Sequence, residues 1–225
     1  MGCSKHIVYF ENIIDKGEDG SPLVYYKSKL YSGLVIDVYD NGGVKLESYF
    51  RRGKLNGVTR YWNEDSLLLL NVNYKYGLKN GSFKQFSELG ELMIDEIYIR
   101  DVKHGLSVQY YANRQMSINE TYSKGSLHGV KDVWNEEGQL IIRENYFNGK
   151  LHGSKIGWNE SGQLLIKQNY LKGNLHGIQS RWNKSGQILV KENYLKGKLH
   201  GIQSRWNEQG EIISEEIYDN SILLE

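Results

Sequence analysis

Cysteine, proline and long apolar runs are all but missing from this chain. One cysteine, Cys3, stands among 225 residues, which excludes an internal disulfide and a cysteine-built zinc cage. One proline, Pro22, stands against 25 glycines. So little proline excludes collagen-like and proline-rich disordered chains, and helices tolerate so much glycine poorly. The longest aliphatic run is Leu67 to Leu70, far below the roughly 18 residues of a membrane-crossing helix. Net charge is only +1, with both signs interspersed along the chain. That leaves no large basic field for nucleic acid or an anionic membrane.

What is present is tyrosine and glycine. Aromatics make up 12% of the residues and 17 of them are Tyr, while mean hydropathy is −0.57. Glycine-bearing turns between Tyr-, Ile- and Leu-rich segments predict an all-β protein. The tyrosines also set a period. Tyr74, Tyr98, Tyr122, Tyr146, Tyr170, Tyr194 and Tyr218 stand 24 residues apart, and the spacing runs back through Phe50 to Tyr26. Eight full units therefore occupy 26–217, with a partial C-terminal repeat or cap over 218–225. Residues 1–25 lack the pattern and are expected to form an N-terminal capping strand or hairpin, with Lys5 to Phe10 extended and Gly17 to Pro22 a loop.

Numbering each unit from its leading aromatic, position 8 is Gly in all copies, from Gly33 to Gly201. Position 13 is aromatic in all but the first, where Val38 stands. Two turn signals recur. W-N-x-x-G, as at Trp158 to Gly162, suits a type I turn closed by a left-handed Gly; Y-x-x-G, as at Tyr170 to Gly173, supplies the other. Two strands of six to eight residues lie between them. The product is a meander of hairpins: an elongated, twisted, single-layer antiparallel sheet, in which alternation leaves neither face purely apolar. The copies are unequal. H-G-I-Q-S-R-W-N occurs twice, at 176–183 and 200–207, whereas in the first half Lys29 and Asp101 replace the first turn glycine and Ser66 and Arg114 the second. Gly153→Val is expected to destabilise the sheet, and Lys155→Ala, at a variable position, to be silent.

Chemical readings of the columns are weak. His104, His128, His152, His176 and His200 share position 7, but equivalent positions are two strands, about 9.6 Å, apart. Zinc ligands must converge to a few ångströms, so a turn-proximal structural role is expected and no metal. Trp134, Trp158, Trp182 and Trp206 could form aromatic pockets; cross-strand packing is the simpler role. No Ser or Cys sits in a nucleophile motif. The chain thus predicts no catalytic residue, no cofactor and no metal. Met1-Gly2-Cys3 lacks the hydroxyl that myristoylation wants at position six, where His6 stands. No apolar segment precedes Cys3, so a cytoplasmic protein is expected. The alternative is a periplasmic lipoprotein with Cys3 as its lipidated first residue, if a signal peptide stood ahead of it.

Y-x-x-G-x-x-x-G with a following aromatic, together with stretches such as Gly149-Lys-Leu-His-Gly153 and Trp134-Asn-Glu-Glu-Gly-Gln-Leu140, resembles the MORN repeat in its longer bacterial variant. The resemblance covers most of the chain and is sharpest over 122–217. It implies a hairpin-repeat sheet acting as an interaction module. Some members resemble antitoxin or immunity partners of bacterial toxins, and eukaryotic relatives scaffold proteins or touch phospholipids. A monomer that binds a partner protein, such as a toxin-type effector encoded nearby, is therefore expected, with no nucleic acid, and membrane contact only through Cys3. Positions 9 to 12 vary most among copies in the degenerate half. Arg60, Tyr61, Phe83 and Lys84 are the contact residues expected there, of types suited to hot spots or to steering. An elongated sheet should give a scattering radius of gyration well above the roughly 17 Å of a sphere-like domain of this length; a value at or below that would exclude the architecture.

Overall fold

The structure, a computed structural model, describes residues 7–17 and 22–224. Cys3 lies outside the described residues, and so does the middle of the loop expected between Gly17 and Pro22. Among the described residues no helix is long and apolar enough to cross a membrane. The chain is nearly all strand, and its contacts gather into two compact units, Met1–Arg114 and Gln115–Glu225.

The first unit contains β1 (Ile7–Tyr9), β2 (Ile14–Asp15), β3 (Val24–Tyr26), β4 (Lys29–Leu30), β5 (Gly33–Val38), β6 (Val44–Arg51), β7 (Lys54–Trp62), β8 (Leu68–Lys75), β9 (Leu78–Phe86), β10 (Leu92–Ile99) and β11 (Val102–Tyr110). From β5 to β11 each strand pairs antiparallel with its sequence neighbour. The start of the chain departs from the expected all-antiparallel sheet in two ways. β1 runs parallel to β5, and β2, β3 and β4 form a separate small sheet. The cause is local. The first repeat has no turn glycine, and its hairpin turns one residue early on Lys27 and Ser28, both left-handed at φ 48° and 61°. The displaced segment folds over an apolar cluster of Val8, Val24, Tyr31, Val35 and Phe50. Of the expected strand over Lys5 to Phe10, Lys5 and His6 lie outside the described residues, Ile7–Tyr9 is β1, and Phe10 opens a 3-10 turn at Phe10–Asn12.

The second unit contains β12 (Met116–Ser123), β13 (Ser126–Trp134), β14 (Leu140–Phe147), β15 (Lys150–Trp158), β16 (Leu164–Leu171), β17 (Asn174–Leu175), β18 (Gly177–Trp182), β19 (Ile188–Leu195), β20 (Lys198–Leu199), β21 (Gly201–Trp206), β22 (Ile212–Asp219) and β23 (Ile222–Leu224). β17 with β18, and β20 with β21, are single repeat strands interrupted at His176 and His200. The pairings in this unit are antiparallel and run from β12 through β23 between successive repeat strands, with β17 and β18 both on β16 and β20 and β21 both on β19.

Turn chemistry explains the meander. The Y-x-x-G turns are two-residue loops with both residues left-handed, such as Lys172 at 53° and Gly173 at 89°, the geometry that matches strand twist. Lysine or arginine fills the first place in most of them, at Lys27, Arg52, Arg100, Lys124, Lys172 and Lys196. In the other turn Gly162 is left-handed at 75°, and the Asn159 side chain accepts the Gln163 N–H at 2.9 Å. The degenerate copies keep this conformation without the glycine, with Ser66 at 62° and Arg114 at 68°.

Position 8 is left-handed throughout, for example Gly153 at 93°, because the strand bulges there. Glu144 pairs with Lys155 and Tyr146 with Leu151, so His152, Gly153 and Ser154 stand opposite Asn145 alone. The Asn145 amide spans the gap, donating to the Ser154 carbonyl at 2.7 Å. A Cβ on Gly153 would rest 3.5 Å from Asn145 Cβ. Backbone conformation, and not an overlying ring, is thus the reason for the glycine. Gly153→Val should cost about 1–3 kcal/mol. Ser66→Gly should add about 0.5–1 kcal/mol by relieving a side chain from the left-handed region. Urea midpoints check both; a Gly153 variant matching wild type, or a Ser66 variant below it, would refute this account of the turns.

Candidate functional site

Positions 10 and 23 face each other in register and form a row across each unit. In the first it reads Val35, Ser48, Thr59, Val72, Phe83, Glu96 and Ser107. In the second it begins Glu120, Lys131, Glu144 and Lys155. Most members are nearly inaccessible: Val35 and Val72 expose 1% and Glu144 8%. The row is the interior of a sheet that has no second layer, and its chemistry turns from apolar to ionic along the chain.

Each buried carboxylate is compensated. Glu144 takes the Tyr146 hydroxyl at 2.9 Å and the Lys155 ammonium at 2.9 Å. Glu120 has Tyr122 and Lys131, both at 2.8 Å. Glu96 has Tyr98 at 2.6 Å, Lys103 at 2.5 Å and Ser107. Burial pushes Glu144 upward, but the Lys155 and Tyr146 hydrogen bonds and the Lys155 and Lys131 charges outweigh it and hold the carboxyl below its usual range. Tyr146 is pushed up to about 12, by burial first and then by the Glu144 hydrogen bond and charge. The leading tyrosine of the repeat is thus the clamp on the acid two residues before it. Sequence reading found the tyrosine column and missed the acid, because Glu, Gln, Ser and Val alternate at position 23.

The histidines have a role of the same kind. His152 Nδ1 accepts the backbone N–H of Lys172 and His176 Nδ1 that of Lys196, each at 3.4 Å. In earlier copies Ser32 takes the Arg52 N–H at 2.8 Å and Asn56 the Tyr76 N–H at 3.3 Å. In these four copies position 7 caps the tight turn of the following repeat, while His128 meets Asn148 Oδ1 at 3.3 Å and His200 meets Asp219 Oδ1 at 3.1 Å. The same turns are tied a second time, since the Gly173 N–H donates to the Leu151 carbonyl at 2.8 Å. Among the described residues no group of three His, Cys, Asp or Glu could hold a metal. Trp158, Trp182 and Trp206 stand opposite Leu164, Ile188 and Ile212, which is cross-strand aromatic–aliphatic packing.

The four expected contact residues do not form one patch. Arg60 and Lys84 lie in one cross-strand row, with Asn71 between them, on the face opposite the buried row. Arg60 pairs with Glu47 at 2.8 Å and Lys84 with Asp95 at 2.9 Å. Tyr61 and Phe83 point to the other face and belong to neighbouring rows. Phe83 meets Tyr98 edge-on at 5.8 Å, with the Lys79 ammonium over both rings. Charge, interspersed along the chain, separates across the sheet. Within each unit the tight turns lie along one edge and the five-residue loops along the other; six of the nine turns begin with Lys or Arg, and six of the eight loops have an acid as first tip residue, Ala112 and Lys184 being the exceptions.

The model of the MORN repeat variant family matches residues 175–196 and 199–220. This is a MORN-repeat protein. Each matched stretch starts at the position-6 leucine, Leu175 or Leu199, and ends on the left-handed residue of the next tight turn, Lys196 or Asn220. No curated protein sequence matches the chain. MORN repeats are non-catalytic scaffolds for protein or membrane-lipid binding, and the geometry above fits a scaffold.

Lys155 also corrects an expectation. It is no silent surface position, because it neutralises a buried acid. Lys155→Ala should cost about 1–3 kcal/mol by leaving Glu144 without its cation. Because Glu144 is held below its unfolded value, its contribution is present at neutral pH and is lost as pH falls below about 4.3, the ordinary glutamate value, towards its folded one. The Tyr146 contribution has the opposite sense, present below about 10 and lost as pH rises towards the folded value. Melting temperature against pH checks the acid limb. Glu144→Gln should flatten it, and a variant with an unchanged acid limb would refute the clamp.

Proposed function

We propose that the protein is a non-catalytic cytoplasmic scaffold that neutralises or anchors a partner protein, a toxin-type effector encoded beside it, in the manner of antitoxin or immunity members of its family. The observation that carries this reading is an exposed aliphatic at position 9 in four of the eight copies, one in the first unit and three in the second. Leu106, Val130, Ile178 and Ile202 are 48%, 43%, 44% and 48% exposed, on the face opposite the buried row. The polar framework groups are engaged within the sheet, so this face is left to meet another macromolecule. It is already ordered by two hydrogen-bonded neighbours per strand, and binding to it costs little conformational entropy.

Arg60 and Lys84 lie with Leu106 on the corresponding face of the first unit, which makes them the contact candidates and makes Tyr61 and Phe83 supports of the fold. The rival is a phospholipid-binding scaffold, favoured by the basic turn edge. Pull-down with the product of the neighbouring gene, set against flotation on anionic vesicles, separates the two. Capture of that product, weakened at least about tenfold by Arg60→Ala with Lys84→Ala as expected for hot-spot residues, is the predicted result. Tyr61→Ala and Phe83→Ala should leave capture intact and lower stability. Flotation with no capture would end the partner-protein reading, and capture that survives the Arg60 and Lys84 pair would end the face assignment.

A further inference from the structure

The tight-turn edge carries cations where the backbone would prefer other residues. The first place of such a turn is left-handed and favours Asn, Asp or Gly. Asn148 and Asn220 show that asparagine serves there. Lysine or arginine nevertheless occupies it at Lys27, Arg52, Arg100, Lys124, Lys172 and Lys196. All six are exposed, and among the described residues none of them makes an ion pair. Strain kept repeatedly at one position points to a use outside the fold.

The opposite edge supplies the complement. The first tip residue of the five-residue loops is acidic at Asp40, Glu64, Glu88, Glu136, Glu160 and Glu208, and all six are exposed. Each repeat contributes one turn and one loop. Within a unit both edges therefore advance by the same two strand spacings, about 9.6 Å. Within one unit, a basic row and an acidic row of equal pitch match each other better than they match an anion of any other spacing.

We propose that the tight-turn edge of one copy docks along the loop edge of a second copy, side by side, setting the basic turns against the acidic loops. The contact is heterologous, so it leaves one edge of each sign open and can extend into a row. Exposed ion pairs are individually weak and are screened by salt. The association is thus reversible, concentration-dependent and confined to low ionic strength, and the protein is a monomer at high salt, as its locally closed backbone ladders require.

Sedimentation velocity of the full chain tests this across a concentration series at low and high salt. The weight-average mass at low salt should reach about twice the high-salt value or more, because an open contact does not stop at a pair. Replacing Lys124, Lys172 and Lys196 together by Asn removes half of the turn cations and should clearly reduce the rise with no loss of melting temperature, since Asn suits the turn. Two charge-swapped proteins complete the test. Lys124→Glu, Lys172→Glu and Lys196→Glu make both edges of the second unit acidic. Glu136→Lys, Glu160→Lys and Glu208→Lys make both basic. Each should associate less than wild type when alone and regain association when the two are mixed. A wild-type chain that is monomeric throughout, association undiminished in the triple Asn variant, or swapped proteins that ignore each other would each overturn the proposal. So would a monomer whose turn lysines instead bind phosphatidylserine vesicles, which would assign the edge to a membrane.

Discussion

A carboxylate withdrawn from water is tolerated only with a cation and a hydrogen-bond donor at hand, and Glu96, Glu120 and Glu144 each meet that requirement with a lysine and a tyrosine. The acid at position 23 needs the tyrosine two residues ahead and a lysine from the next strand. The lysine reaches it only if the strands hold one register. Register in turn depends on a two-residue turn and on a bulge placed at the same point in every copy. A single-layer sheet has no second layer to punish a slipped strand. Here the ionic row supplies that penalty, since a slip of one residue would leave each acid facing no partner.

The first unit meets the same need with different chemistry. Its row passes through Val35, Ser48, Thr59, Val72 and Phe83 before Glu96. It is the unit that owns an apolar cluster, built where β1 and the small sheet fold over β5 and β6. One repeat geometry thus accommodates an oily interior at one place and a salt-bridged one at another. Backbone ladders, turns and bulges stay constant, and the residues between them are free to vary in pairs.

That division decides what could be read from the sequence. The period, the strand count per repeat, both turn types and the glycine column were legible because each is imposed by backbone conformation, which only a few residue types satisfy. Ser66, Arg114 and Asp101 looked like lost turns and are not; the surrounding ladders force the left-handed conformation on them. Lys155 looked like a free position because its partner Glu144 lies eleven residues away in the chain and varies with the copy. The expected contact quartet failed to converge for a simple reason: Arg60 and Tyr61 are consecutive in a strand, and so are Phe83 and Lys84, so each pair is divided between two faces. The parallel strand at the start could not be read at all, since it belongs to no repeat.

The histidine contacts have a consequence for how this protein changes length. In four copies position 7 caps a turn twenty residues ahead, and that turn's N–H reaches back to the strand before it, so each bond is defined relative to its neighbours and never to the chain as a whole. Removing or inserting 24 residues re-creates the same set of bonds at the new junction. Removing 23 breaks them at that junction. The molecule is therefore written in a reading frame of its own, in which whole repeats are the only indels the fold absorbs, and the two copies of H-G-I-Q-S-R-W-N are what a duplicated frame looks like.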